Sequence, residues 1–292
     1  MQGCSKQQDV EDHSFVLAMG FERLNEKKVL VRYSYADFDK AQSDSGTKIP
    51  SRSVTFLATS LKDANKKWKQ YKSQQLNFGH LKVVIFGNGK KDAKIIKELV
   101  KELMKDRMFY EQSGGGVTLS GGEVMAMSTD YILQIAKALK KEEISLTIDT
   151  CGYVSYDKFE AILPYVNTFL YDIKVMDPEL HKKYIGIDNK LILENLVKLS
   201  NAGARIYIRI PTIKEVNGNE QNMTETIRFL KEHGIHPAQV NLLPYHDTGS
   251  GKYAKLDMEY KGTDLHAPSK EEMEGFVQLF KDAGFQNTKI GG

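Results

Sequence analysis

Gly114-Gly115-Gly116-Val117-Thr118-Leu119-Ser120-Gly121-Gly122-Glu123 decides how the rest of the chain is read. A short apolar run at 117–119 lies between two glycine clusters, which predicts a buried strand with a turn at each end. Gly121 and Gly122 carry no Cβ, so the backbone behind the strand can come close to a ligand and offer its own polar groups. Glu123 adds a carboxylate at the same end. A glycine run alone reads equally well as a plain turn, so its meaning depends on what flanks it.

Outward from this stretch the chain alternates between helix and strand. Ile95, Ile96, Leu99, Val100 and Leu103 make one helix face before it, and Tyr131, Ile132, Ile135 and Leu139 make another after it. Residues 146–149 read as a strand, 159–163 as a helix and 169–173 as a strand. Asp177-Pro178-Glu179 opens a helix, with aspartate as N-cap and proline at the first helical position. Further strands are expected at 204–210, 240–243 and 287–290, separated by helices near 190–201, 222–233 and 270–283. Repeated βα units imply an α/β fold with a parallel sheet, open or curled into a partial barrel.

Functional residues of parallel α/β folds lie at the C-terminal ends of the strands. Polar and glycine residues fall there five times in succession: Ser120–Glu123, Asp149-Thr150-Cys151-Gly152-Tyr153, Asp172-Ile173-Lys174, Arg209-Ile210-Pro211 and Leu242-Leu243-Pro244-Tyr245-His246. Such a rim suits a zwitterionic ligand, with Glu123 complementing an ammonium and Lys174 pairing with a carboxylate. Taken singly, Asp172 and Lys174 are a surface pair on one strand face and His246 is a rim histidine. Tyr131, Tyr207 and Met258 read as packing, and Cys151 as a buried thiol.

As a whole, the Gly115–Glu123 stretch resembles the GGE segment of radical S-adenosylmethionine (SAM) enzymes, most closely the glycyl-radical-enzyme activating enzymes. Leu242–His246 with Gly249 and Lys252-Tyr253, and the ending Lys289-Ile290-Gly291-Gly292, resemble the same family's late motifs, so the similarity covers about residues 95–292. The resemblance implies a partial (β/α) barrel of the radical SAM type and SAM-dependent generation of a glycyl radical on a partner glycyl-radical enzyme. It implies a SAM pocket lined by Gly121, Gly122, Glu123, Asp172, Ile173, Lys174 and His246. It also implies a monovalent cation held by Asp149 and Asp172. The family binds a [4Fe–4S] cluster through three cysteines spaced C-x3-C-x2-C, whereas this sequence contains two, Cys4 and Cys151. No catalytic residue is therefore assigned, and the family reaction is expected to be impaired. Val124 stands where the family usually has proline, and Asp247 where many relatives have arginine.

The first 90 residues read differently. Val31, Tyr33 and Tyr35 alternate onto one strand face, 53–58 is a second strand, and Leu61, Ala64, Trp68 and Tyr71 recur at helical spacing over 61–72. Residues 39–50 form a polar loop, and 81–86 is a strand closed by Gly87-Asn88-Gly89. Cys4, the run Phe15-Val16-Leu17-Ala18-Met19-Gly20-Phe21 and the run from Asn77 to Gly87 resemble the N-terminal domain of germination-receptor C-subunit lipoproteins of spore formers. The expectation is a chimera of two domains, 1–90 and 91–292, joined near residues 88–95. The strand at 81–86 and the helix that follows would stand beside the Val117 strand in place of the family's first βα unit. The N-terminal resemblance implies germination receptor proteins as partners. Two alternatives to an activating enzyme stay open: a non-catalytic interaction protein, or an accident of recombination or sequence assembly.

Bulk properties constrain partners. The net charge of +3 on 292 residues comes from nearly balanced acids and bases, which gives no argument for nucleic acid. No apolar run reaches transmembrane length, and two cysteines exclude a disulfide framework. The C-terminal resemblance implies the cytoplasm. Met1-Gln2-Gly3-Cys4 looks like the stub of a lipoprotein cleavage site without the apolar region before it, so membrane association is expected only if a lipoprotein signal precedes Cys4.

Overall fold

The computed structural model describes residues 13–25, 28–36, 51–72, 75–77, 83–86, 93–120, 123–246, 262 and 264–291. Cys4, the 39–50 loop, Gly87–Gly89, Gly121, Gly122, Asp247, Gly249, Lys252-Tyr253 and Met258 lie outside them. The chain forms two compact units, Met1–Thr147 and Ile148–Gly292. No helix among the described residues is long and apolar enough to cross a membrane.

The first unit is built on a five-stranded sheet. β1 (His13–Asn25) pairs antiparallel with β2 (Lys28–Ala36), which pairs antiparallel with β3 (Ser51–Ala58). Val29, Val31, Tyr33 and Tyr35 all point inward, each no more than 2% exposed, as period-two alternation requires. They pack under α1 (Leu61–Tyr71), whose Leu61, Ala64 and Trp68 are buried. Trp68 is the centre of this core. Its ring meets Tyr35 edge-on at 4.9 Å and Tyr33 at 5.7 Å, an arrangement favoured by aromatic quadrupoles. Ser60 caps α1 by accepting from the Asp63 amide at 3.1 Å.

On its other side β1 pairs in parallel with β4 (Gln75–Asn77) and β5 (Val83–Phe86), which take successive stretches of it. The strand read at 81–86 takes a hydrogen-bonding register from β1, with Ala18 opposite Val83, and it also lies against the strand at Val117, the neighbour expected for it. The thirteen residues of β1 leave ladder groups beyond the three matched by β4, and β5 pairs with four of them. The unit continues through α2 (Ala93–Leu103), α3 (Arg107–Ser113), β6 (Gly116–Leu119) and α4 (Thr129–Lys141).

The second sheet has six strands in the order β11-β10-β9-β8-β7-β6. β7 (Ser145–Thr150) carries the division between the units. β8 (Thr168–Asp172), β9 (Ile206–Thr212), β10 (Gln239–Pro244) and β11 (Thr288–Ile290) belong to the second unit and pair in parallel. They are linked by α5 (Tyr156–Ile162), α6 (Pro178–Ile185), α7 (Lys190–Asn201), α8 (Glu220–Glu232) and α9 (Lys270–Asp282). This is the α/β parallel architecture expected. Phe169 and Tyr171 of β8 and Ile206, Ile208 and Ile210 of β9 are buried on one face. The alternate residues Asp172 and Arg209 share the other face, and Asp149 holds the same half-buried phase in β7.

Candidate functional site

The site is built where β7, β8 and β9 end. Asp172 and Arg209 are register partners across β8 and β9, so their side chains emerge side by side. Arg209 Nε donates to Asp172 Oδ1 at 2.8 Å, and Nη2 reaches the same oxygen at 2.7 Å. Nη2 also donates to Asp149 Oδ1. One guanidinium thus serves two carboxylates, each side chain being about a fifth exposed (20%, 17% and 18% for Asp149, Asp172 and Arg209). Burial pushes the Asp172 carboxyl above its ordinary range and Asp149 adds to the rise, while Arg209 and Lys174 oppose it. Burial alone would lower the Arg209 guanidinium, but the Asp172 and Asp149 carboxylates outweigh it and raise it.

The main chain beyond Asp172 carries the next predicted residues. Ile173 is buried and its amide donates to the Arg209 carbonyl at 2.9 Å, while Lys174 is half-buried. His246 is exposed just past β10. The preceding Tyr245 donates its amide to Thr212 O at 2.9 Å, which ties this segment to the end of β9. Glu123 lies in the first unit. It caps the single turn Val124–Ala126, its carboxylate accepting from Met125 N at 2.9 Å. Of the predicted residues, Asp149, Asp172, Ile173 and Lys174 are thus brought together, and Gly121 and Gly122 are outside the described residues.

The loop after β7 is shaped by a close packing contact. Gly152 has φ +78°, and a Cβ there would lie 1.8 Å from the Tyr171 hydroxyl and 2.3 Å from the ring carbon bearing it. That hydroxyl donates to Ile192 O at 2.7 Å, so it cannot move aside freely. Both the dihedral and the space demand glycine.

Sequence reasoning missed four asparagines. Asn195 donates to Gly152 O and Val154 O at 2.8 and 2.7 Å. Asn189 donates to Val175 O and Met176 O at 3.0 and 2.6 Å. Asn222 accepts from Met176 N at 2.8 Å, and Asn217 donates to both Lys174 O and Pro211 O. All four are at most 5% exposed. It also left Arg209 as a strand end only, although its spacing from the buried Ile208 and Ile210 places it on the polar face.

The donor set tests which groups the rim can hold. The described thiol is Cys151, and no group of three His, Cys, Asp or Glu side chains among the described residues could hold a metal. These residues do not fit a [4Fe–4S] cluster. Between Asp149 and Asp172, where the resemblance implied a monovalent cation, stands the Arg209 guanidinium. A zwitterion fits better, since Asp172, Arg209 and Lys174 offer both signs within three residues of two adjacent strand ends.

Comparison with known proteins finds relatives for both parts of the chain. Residues 6–149 match the family model of the spore germination protein N-terminal domain. Over 199 residues, 68% of its length, the chain is 47% identical to the trans-4-hydroxy-L-proline dehydratase activating enzyme of Clostridioides difficile, and spans 65% of that protein, just under two thirds. It is 33% identical over 189 residues to the pyruvate formate-lyase-activating enzyme of Clostridium pasteurianum, covering 64% of this chain and 77% of that one. Among solved structures, a domain of pyruvate-formate lyase-activating enzyme from Bacteroides vulgatus ATCC 8482 superposes with a TM-score of 0.53 at 30% identity. That match covers 61% of this chain and 99% of the domain.

Proposed function

The chain belongs to the glycyl-radical-enzyme activating enzymes of the pyruvate formate-lyase activase type, within the radical SAM enzymes, and from that membership we propose that its rim is a SAM site. Gly121, Gly122, Glu123, Asp172, Ile173, Lys174 and His246 line it. Lys174 pairs with the SAM carboxylate, and the acidic side of the rim takes the ammonium. The observation that carries this reading is the Asp149–Arg209–Asp172 cluster with Lys174 two residues beyond, a concentration of both charge signs at the C-terminal ends of parallel strands. Arg209 supplies the positive charge between the two aspartates that a bound cation would otherwise supply.

The partner we infer is a glycyl-radical enzyme. A [4Fe–4S] cluster, when bound, supplies the electron that cleaves SAM and an iron that chelates its amino and carboxylate groups. Cys4 and Cys151 cannot supply the three-cysteine motif, so this chain does not assemble such a cluster from its own side chains. SAM is then held by the protein rim alone, more weakly than in a cluster-bearing relative. A second reading, a non-catalytic interaction protein, is favoured by the match of residues 6–149 to the germination domain.

Calorimetry decides between the two. SAM titrated into the wild type and into Lys174→Ala should show a loss of roughly 1.5–3 kcal/mol for the variant, the worth of a charge-assisted hydrogen bond. Equal affinities remove Lys174 from the site, and no heat with either protein favours the interaction reading. Anaerobic reconstitution with iron and sulfide should leave the chain without a stoichiometric cluster, whereas about four irons per chain would overturn that part.

A further inference from the structure

Beyond Asp172 the backbone leaves the β-ladder but stays largely buried, so its polar groups need other partners. Side chains from three separate places supply them. Asn189, which precedes α7, holds the carbonyls of Val175 and Met176, and Asn222, in the first turn of α8, holds the Met176 amide. Asn217, in the connection between β9 and α8, does something the others do not. It donates to Lys174 O at the end of β8 and to Pro211 O in β9, and its Oδ1 accepts from Ile213 N at 2.8 Å. Both N–H groups and the oxygen of a side chain 2% exposed are therefore committed, and they tie two neighbouring strand ends together.

We propose that Asn217 is a positioning residue for ligand binding at this rim. It fixes the main chain of Lys174 against that of Pro211, two residues from Arg209, and so sets the spacing between the Lys174 ammonium and the Asp172–Arg209 pair. The inference rests on the SAM reading of the same rim. A rim held this way binds without first having to order itself, which is where preorganisation gains affinity. Asn217→Ala removes all three bonds. Asn217→Asp keeps an acceptor for Ile213 but loses both donors and sets a carboxylate against two carbonyls.

The test is a thermodynamic cycle with Lys174→Ala, read by SAM calorimetry. Asn217→Ala and Asn217→Asp should each weaken SAM about tenfold in the wild-type background and less than twofold in the Lys174→Ala background, since coupling through Lys174 requires non-additivity. Equal losses in both backgrounds, or wild-type affinity in either variant, overturn the proposal. A purely structural role would lower stability without this dependence on Lys174. A second readout needs no SAM: the acetylation rate of the Lys174 amine in the full-length protein, measured by peptide mass mapping with Lys198 as internal reference. Faster labelling of Lys174 relative to Lys198 in both variants supports the clamp, and an unchanged ratio overturns it. If the wild type takes up no SAM, the SAM reading fails and the labelling ratio alone decides whether Asn217 positions Lys174.

Discussion

Two half-buried carboxylates on the same face of neighbouring strands need a positive group between them, and Arg209 is that group. The energetics follow from burial: each ion has lost most of its water, so the pair is worth little net, but removing one partner leaves charge stranded. Arg209→Met should cost about 2–4 kcal/mol in chemical denaturation, somewhat below the figure for a fully buried pair because a fifth of each side chain still meets solvent. The loss should depend on pH. Asp172 is already raised by burial, and without the guanidinium it rises further, so the folded variant holds a proton that the unfolded chain has released. That stabilisation is fully present below the ordinary carboxylate range and disappears as pH rises through the folded value. The deficit should therefore be largest at neutral pH and shrink towards pH about 4; a deficit flat across that range would contradict the role given to Arg209. The aspartates were legible in the sequence because polar residues ending apolar strands are conspicuous. Arg209 was less so, because its importance depends on lying opposite Asp172, and register across a βα crossover is not written in either strand alone.

Helices were legible where their ends carry chemistry. Asp177 accepts from Leu180 N at 2.7 Å with Pro178 following, and the helix stops at Gly186 with φ 90°, as the Asp-Pro pair predicts at its start. α9 opens with a full capping box: Ser269 Oγ accepts from Glu272 N at 3.1 Å, and Glu272 accepts from Ser269 N at 2.6 Å. Ser269→Ala should speed amide exchange in the first turn of α9 by roughly fivefold, consistent with a cap worth about 1 kcal/mol. Here the pH dependence has the opposite sign to that at Asp172. The Ser269 backbone amide holds the Glu272 carboxyl below its usual range. The protection is present above the ordinary glutamate value and lost as pH falls through the depressed one. Exchange protection of α9 that stays constant on acidification, once intrinsic rates are corrected, would refute the reciprocal half of the box. The four buried asparagines were illegible for a related reason. In sequence Asn189, Asn217 and Asn222 look like ordinary turn or helix-end residues and Asn195 like a polar position within a helix. Only tertiary packing turns Asn195 and Asn217 inward to bond the carbonyls of Gly152 and Lys174, each more than forty positions away.

Over the whole chain, fold class was readable from the alternation of helix and strand, and so was the Val117 strand as a neighbour of β5, but the ladder between β5 and β1 was not. A four-residue apolar strand carries no mark of a second neighbour, and the pairing with β1 became visible only in the register Ala18 opposite Val83. The functional question at this scale is whether the C-terminal body still suits the family's chemistry. Replacing residues 1–90 with the cysteine-bearing N-terminal segment of an activating enzyme should yield a chain that binds a cluster and forms 5′-deoxyadenosine from SAM with a low-potential reductant under anaerobic conditions. A folded graft that holds its cluster yet forms none would locate the fault in the rim. The strand order of the second unit has a consequence for how the protein is made. β8, β9, β10 and β11 lie side by side in the order in which they are synthesised. No later strand has to insert between two earlier ones, so each βα segment meets an edge already waiting for it. At a translation rate of about 5–20 residues per second, the next strand arrives within a few seconds. The exposed edge at the ribosome is thus only ever one strand wide and short-lived, and the nascent sheet grows in one direction as it emerges.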